Sequence, residues 1–172
     1  GYEFAAGKRA IELPGPVAYA VLPLTPRGKQ VAREAHANGK EVLLHLPLQA
    51  EKSAGPVEPG GLVLDMTRQQ FSAAFAENVA AVPHAIGINN HRGSMLARHP
   101  GHMAWLMEEI SLLENYFFID SYTTAASIAL ESAVAYGVPA ARRDVFLDPD
   151  RSPQTLEREF SRLKKIAQEK GF

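Results

Sequence analysis

Short apolar runs alternate along the chain with longer stretches in which apolar residues recur at helical spacing. The short runs are bounded by proline, glycine or polar residues, which is typical of buried strands. They predict strands at 16–22, 41–45, 85–89, 116–119 and, as the weakest, 138–141. A Gly/Pro-rich loop is predicted between 49 and 65.

Helices are predicted between the strands from capping signals and periodicity. Thr25-Pro26 and Ser152-Pro153 each provide an N-cap followed by proline at the first helical position, and Thr67 with Gln70 fits a capping box. Glycine after Asn38 and after Tyr136 marks two helix ends. The apolar stripes that follow the caps are Phe71, Phe75, Val79 and Val82, then Met103, Leu106, Met107, Ile110 and Leu113, and finally Leu156, Phe160, Leu163 and Ala167.

Five strands alternating with helices predict an α/β fold with a parallel sheet. The sheet is either open and doubly wound or part of a (β/α) barrel. An incomplete barrel is favoured, because helix-like residues 4–11 precede the first strand and a helix ends the chain. No linker is evident, so residues 1–172 are predicted to form one domain.

Composition and charge argue against several classes of function and limit the possible metal ligands. The 172 residues carry a formal net charge of −1, which lacks the basic footprint of a nucleic-acid binder. No apolar run is long enough to predict a membrane span. With no cysteine, any metal must be held by His, Asp or Glu.

Polar residues follow the predicted strands at their carboxyl ends, the edge that carries active sites in parallel α/β folds. These residues are His45, Asn89-Asn90-His91, Asp120-Ser121 and Arg142-Arg143-Asp144. Two neutral imidazoles and a carboxylate would form the three-ligand arrangement of catalytic zinc, with one open position. The pattern therefore predicts a functional site at this edge.

Several of these residues also have an ordinary structural interpretation. His45 could be a core histidine bonded to a backbone carbonyl, and Asp120 could cap the following helix. The Arg142–Asp144 stretch could form a surface ion pair. His99 and His102, although three residues apart, are interpreted as a solvated helix start.

Five stretches in order, 12–17, 40–47, 87–94, 118–121 and 143–148, resemble the divergent polysaccharide deacetylases of the NodB-like carbohydrate esterase superfamily. The most specific are Asn89-Asn90-His91-Arg92-Gly93-Ser94 and Arg143-Asp144-Val145-Phe146-Leu147-Asp148. The resemblance implies a (β/α)7-type barrel, one divalent metal, commonly zinc, in an Asp-His-His set, and removal of N-acetyl groups from polysaccharide or peptidoglycan-type sugars. It also implies a bacterial periplasmic or cell-envelope location.

On this sequence the resemblance makes His45 and His91 the candidate metal ligands. His45 matches the first histidine of the ordinary deacetylases' His-x-x-x-His motif, whereas Gln49 stands at the second. It further implies that Asn89, Asn90 and Ser94 bind substrate, and that Asp120, Arg143 and Asp144 assist catalysis.

The family's Asp-Asp-x-Gly strand and its closing strand are expected outside this chain, so the barrel is expected to lack its first and last strands. The alternative function is a non-catalytic barrel of the cell envelope that binds glycan or a protein partner.

Overall fold

In the computed structural model, which describes residues 4–51 and 55–171, strands and helices alternate as predicted. Strands β1 to β5 are Tyr19–Val21, Val42–Leu48, Ala85–Arg92, Phe117–Asp120 and Ala140–Arg142. Helices α1 to α6 are Phe4–Ile11, Gly28–Ala37, Arg68–Ala81, Pro100–Ser111, Ala129–Ala135 and Pro153–Lys170, and a 3₁₀ turn spans Leu96–Arg98. None of the helices in these ranges is both long and apolar enough to cross a membrane.

The strands form one sheet in the order β1-β2-β3-β4-β5, and β1 to β4 pair in parallel. A doubly wound sheet reverses its strand order at a switch point. Between β1 and β5 the order does not reverse, and the (β/α)7-type barrel stays a prediction. The predicted α/β class is confirmed.

The two faces of the sheet differ in polarity because side chains alternate along each strand. One face is apolar and packs with the helix side chains Phe71, Phe75, Leu106 and Met107 in a buried core. Its strand residues are Val21, Leu44, Leu46, Leu48, Ile88 and Phe118. The register pairs His45 with Asn89, and Asn89 with Ile119, so these residues lie on the opposite face.

Strand β2 runs three residues beyond its predicted end at His45, straight through Pro47. A proline is tolerated in a strand where its missing N–H faces no partner. Here the Pro47 carbonyl accepts from the Leu62 N–H, on the side away from β3, and β1 pairs only with residues 42–44. The missing N–H therefore interrupts no pairing with β3, and β3 extends alongside β2 to Arg92.

The capping predictions hold at two helices and fail at one. Thr67 and Gln70 form the capping box of α3, and the Ser152 side chain accepts from the Thr155 N–H at the start of α6. The Thr25 hydroxyl instead donates to the Leu22 carbonyl, and α2 begins later, at Gly28. The predicted Thr25 N-cap was wrong because the hydroxyl is hydrogen-bonded to the preceding turn.

The chain divides into two compact units, one reaching Ala141 and the other starting at Arg142. In the second unit, Lys170 of α6 pairs with Asp144 at 2.5 Å. That residues 1–172 form one domain stays a prediction.

Candidate functional site

Two imidazoles meet on the polar face of the sheet, with His45 at the middle of β2 and His91 near the carboxyl end of β3. His91 Nδ1 lies 2.9 Å from His45 Nε2, and the ring centroids are 4.7 Å apart. Both rings are partly buried. The structure therefore brings together the two histidines that the sequence predicted as metal ligands.

Asn89 fixes the orientation and tautomer of His45. Its Nδ2 donates to the Ser121 hydroxyl and to the Ile119 carbonyl at 3.4 Å, so its Oδ1 is the atom that faces His45 Nδ1. An amide oxygen can only accept, so Nδ1 of His45 carries the proton. Nε2 is then an unprotonated nitrogen directed at His91.

Glu58 holds His91 from the other side. Its Oε1 lies 3.1 Å from His91 Nε2 and 2.9 Å from an Arg92 guanidinium nitrogen. A chain of side-chain contacts thus runs through Asn89, His45, His91 and Glu58 to Arg92. Each imidazole is anchored by its outer nitrogen, and the inner nitrogens face each other.

The surroundings set the charge of the chain's members. Burial, and secondarily the nearby His91, lowers the pKa of His45 to about 4, so this ring is neutral at pH 7. Burial alone would raise the pKa of Glu58, but hydrogen bonds from its own backbone and from His91, with the nearby Arg92 guanidinium, lower it. Glu58 is therefore a carboxylate.

Sequence reasoning did not find Glu58, because it lies in the Gly/Pro-rich loop, 33 residues from His91. A signal was present in Gly60-Gly61, which follows almost directly. Gly60 has φ +81°, and a Cβ there would lie 2.2 Å from Asn78 Oδ1, while one at Gly61 would lie 1.9 Å from a Val57 methyl. Glycines at which a Cβ would collide with neighbouring side chains mark a loop with a defined conformation.

Asn90 and Asp120 lie on the buried side of the sheet. Asn90 Oδ1 accepts from the Ser121 N–H at 2.7 Å, and its Nδ2 donates to the Arg92 carbonyl at 3.1 Å. Asp120 accepts from the Tyr122 N–H at 2.8 Å and the Ser127 hydroxyl at 3.0 Å. These contacts brace the ends of β3 and β4, behind the imidazole pair.

The remaining predicted residues have contacts of their own. Ser94, in the loop after β3, accepts from the Glu51 N–H at 3.2 Å. Arg143 and Asp144 belong to the second unit, where the Arg143 guanidinium stacks on Phe146 at 4.5 Å.

Gln49 forms hydrogen bonds with the backbone of neighbouring loops. Its side-chain oxygen accepts from the Leu64 N–H at 2.7 Å, and its carbonyl accepts from the Leu96 N–H at 3.0 Å. The residue at the position of the ordinary deacetylases' second histidine thus holds backbone together.

His99 and His102 begin α4, as predicted, but His102 is not solvated. It is 7% exposed and packs against Phe71 and Trp105, while the His99 ring accepts from the His102 N–H to cap the helix. The solvated interpretation was wrong because the second residue of the pair turns into the core. Burial and the neighbouring His99 lower the pKa of His102.

The donor set fits a divalent metal in part. His45 has the usual arrangement of a metal ligand, with one ring N–H held by an amide oxygen and the other nitrogen unprotonated. Within residues 4–51 and 55–171, however, no three His, Asp or Glu side chains are grouped to hold an ion. The described residues thus provide two candidate ligands, His45 and His91.

Comparison with known proteins identifies relatives along the whole chain. The sequence model of a family described as divergent polysaccharide deacetylase matches residues 1–172. YibQ, an uncharacterised protein of Escherichia coli K12, is 32% identical over 99% of this chain and 53% of its own length. An uncharacterised protein of Haemophilus influenzae is 31% identical over 99% of this chain and 60% of its own length. The chain therefore spans about half the length of these curated relatives.

A solved structure supports the fold. The crystal structure of ATU2773, an uncharacterised protein from Agrobacterium tumefaciens C58, superposes with a TM-score of 0.89 over 97% of this chain and 68% of that one. The two sequences are 22% identical, so this likeness concerns the fold alone.

Proposed function

The chain belongs to the divergent polysaccharide deacetylase family. We propose that it forms the catalytic part of a metal-dependent hydrolase. The substrate in this proposal is a polysaccharide or peptidoglycan-type sugar that carries N-acetyl groups, in the bacterial periplasm or cell envelope. The observation that carries the proposal is the pair of imidazoles, His45 and His91, whose inner nitrogens face each other 2.9 Å apart.

His45 and His91 would hold the divalent ion, for which zinc is the expected identity. Such an ion, when bound, polarises the acetamide carbonyl and lowers the pKa of water. The chain's own contribution is preorganisation. His45 remains neutral at pH 7 and is held by Asn89 in the tautomer that leaves Nε2 available. Two ligands fixed before binding lose little freedom when the ion arrives.

The other predicted site residues have different roles in this proposal. Asn89 orients His45, whereas Asn90 and Asp120 brace the strand ends that carry the site. Ser94, partly exposed in the loop after β3, is retained as a sugar contact. Arg143 and Asp144 keep their predicted catalytic role as a proposal for the complete protein.

The test uses the full-length protein and a second pair of histidines as control. His36 and His84 stack at 3.9 Å on the surface, with ring planes 3° apart, and stand outside the site. We expect about one zinc per chain and turnover of an acetylated chito-oligosaccharide, both lost in His45→Ala/His91→Ala and both kept in His36→Ala/His84→Ala. Equal zinc content and turnover in the two double variants would remove the proposal.

One observation favours the alternative, a barrel that binds glycan or a partner without turnover. Gln49 occupies the position of the ordinary deacetylases' second histidine, and its side chain is engaged by Leu64. In that case the chito-oligosaccharide binds, measured by calorimetry, and is recovered with all its acetyl groups.

A further inference from the structure

We infer that Glu58 is the positioning residue of His91, and that it does for this ring what Asn89 does for His45. The inference rests on the proposed metal-holding role of the two histidines and names a residue that the site needs beyond them. It is carried by the symmetry of the contacts. The outer nitrogen of each ring faces an oxygen acceptor, Asn89 Oδ1 for His45 and Glu58 Oε1, at 3.1 Å, for His91.

Arg92 completes the contact. Its guanidinium lies 2.9 Å from the same Glu58 oxygen that faces His91, and it also donates to the Pro56 carbonyl at 3.2 Å. The Glu58 carboxylate is thereby held by Arg92, which directly follows His91 in the chain. A histidine ligand that donates its second N–H to a carboxylate is fixed in rotation and is made more basic.

The loop that carries Glu58 is itself anchored directly after this residue. Asn78 of α3 donates to the Gly60 carbonyl at 2.7 Å, and the Leu62 N–H donates to the Pro47 carbonyl at 2.9 Å. Leu62 also forms a parallel bridge with Leu48. A side chain on a loop with these attachments is delivered to a defined position, which positioning requires.

The experiment measures Co²⁺ affinity of the full-length protein by its visible absorption bands, with Glu58→Ala, Glu58→Gln and Glu51→Ala. Glu51 is the matched control, because it lies in the same connection and pairs with Arg98 at 3.3 Å. We expect Glu58→Ala to weaken binding about 10- to 100-fold. Glu58→Gln keeps an oxygen acceptor and should recover most of that loss, and Glu51→Ala should bind like the wild type.

A second measurement separates this inference from the proposed function. In metal-free protein labelled with ¹⁵N-histidine, the Nε2–H of His91 should be slow to exchange in the wild type and Glu58→Gln, and fast in Glu58→Ala. If the wild type binds no Co²⁺, the metal-holding role fails and this exchange alone decides the inference. Unchanged exchange and affinity in Glu58→Ala, or equal losses in both Glu58 variants, would overturn it.

Discussion

The Nε2 atom of His45 and the Nδ1 atom of His91 lie 2.9 Å apart although 46 residues separate them in the chain. The β2–β3 register pairs His45 with Asn89 and Pro47 with His91, so the two histidines occupy diagonal positions on one face. Planar side chains at such positions reach each other across neighbouring strands. A slip of one residue would turn one ring to the opposite face, so the register decides the site.

Replacing Asn89 by alanine should loosen His45. The variant removes the acceptor of the His45 Nδ1 proton and the donor to Ser121. We expect metal affinity to fall about 10- to 100-fold and the free energy of unfolding to fall by about 1–3 kcal/mol. Co²⁺ titration and urea denaturation measure these, with Asn38→Ala, an exposed helix-end amide, as control. Wild-type affinity in Asn89→Ala would contradict the orienting role.

Replacing Gly60 by alanine should disrupt the loop that carries Glu58. Gly60 and Gly55 both have positive φ, +81° and +83°, but only at Gly60 would a Cβ collide, 2.2 Å from Asn78 Oδ1. In both variants the left-handed backbone should lower the free energy of unfolding by about 1–2 kcal/mol. Gly60→Ala should lose a further 1–3 kcal/mol, roughly, from the collision. Equal unfolding free energies of the two variants in urea would show that the collision is relieved without cost.

Acid should destabilise the metal-free protein through His45. Its pKa is about 4 in the folded chain and 6.5 in the reference state, so the unfolded chain binds the proton more tightly. The stabilisation is complete above pH 6.5 and is lost as the pH falls through about 4. The shift corresponds to about 3 kcal/mol.

The check compares urea denaturation of wild type and His45→Gln, in EDTA, at pH 7 and at pH 4. His102 and Glu58, whose pKa values are also lowered, act in the same direction and remain in both proteins. The wild type should therefore lose more stability than the variant over this range. Parallel losses would show that His45 is not the group responsible.

Replacing Asp120 by asparagine should affect folding more than binding. The carboxylate is fully buried and accepts from the Tyr122 N–H and the Ser127 hydroxyl. We expect the free energy of unfolding to fall by about 1–3 kcal/mol, with Co²⁺ affinity of the folded protein unchanged. The exposed Asp65→Asn serves as control. Lost metal binding without lost stability would instead place Asp120 at the site.

Local signals predicted the elements because they act within a few residues. Thr67 and Gln70 satisfy each other's backbone groups regardless of the rest of the chain, and that helix start is confirmed. The ends of β2 and β3 were placed too early, since Pro47 ends a strand only where its missing N–H is needed. That condition depends on Leu62 and on where β1 stops.

The order of residues along the chain was enough to predict that His45, Asn89 and His91 lie close together, because parallel strands bring their carboxyl ends together. Glu58 and its contact with His91 arise from the path of a loop without periodicity. That path is set by Asn78 and Leu48, which are distant in sequence. Hydrogen-bond partners within a turn are encoded locally, whereas a carboxylate's position beside a ring 33 residues away is decided by packing alone.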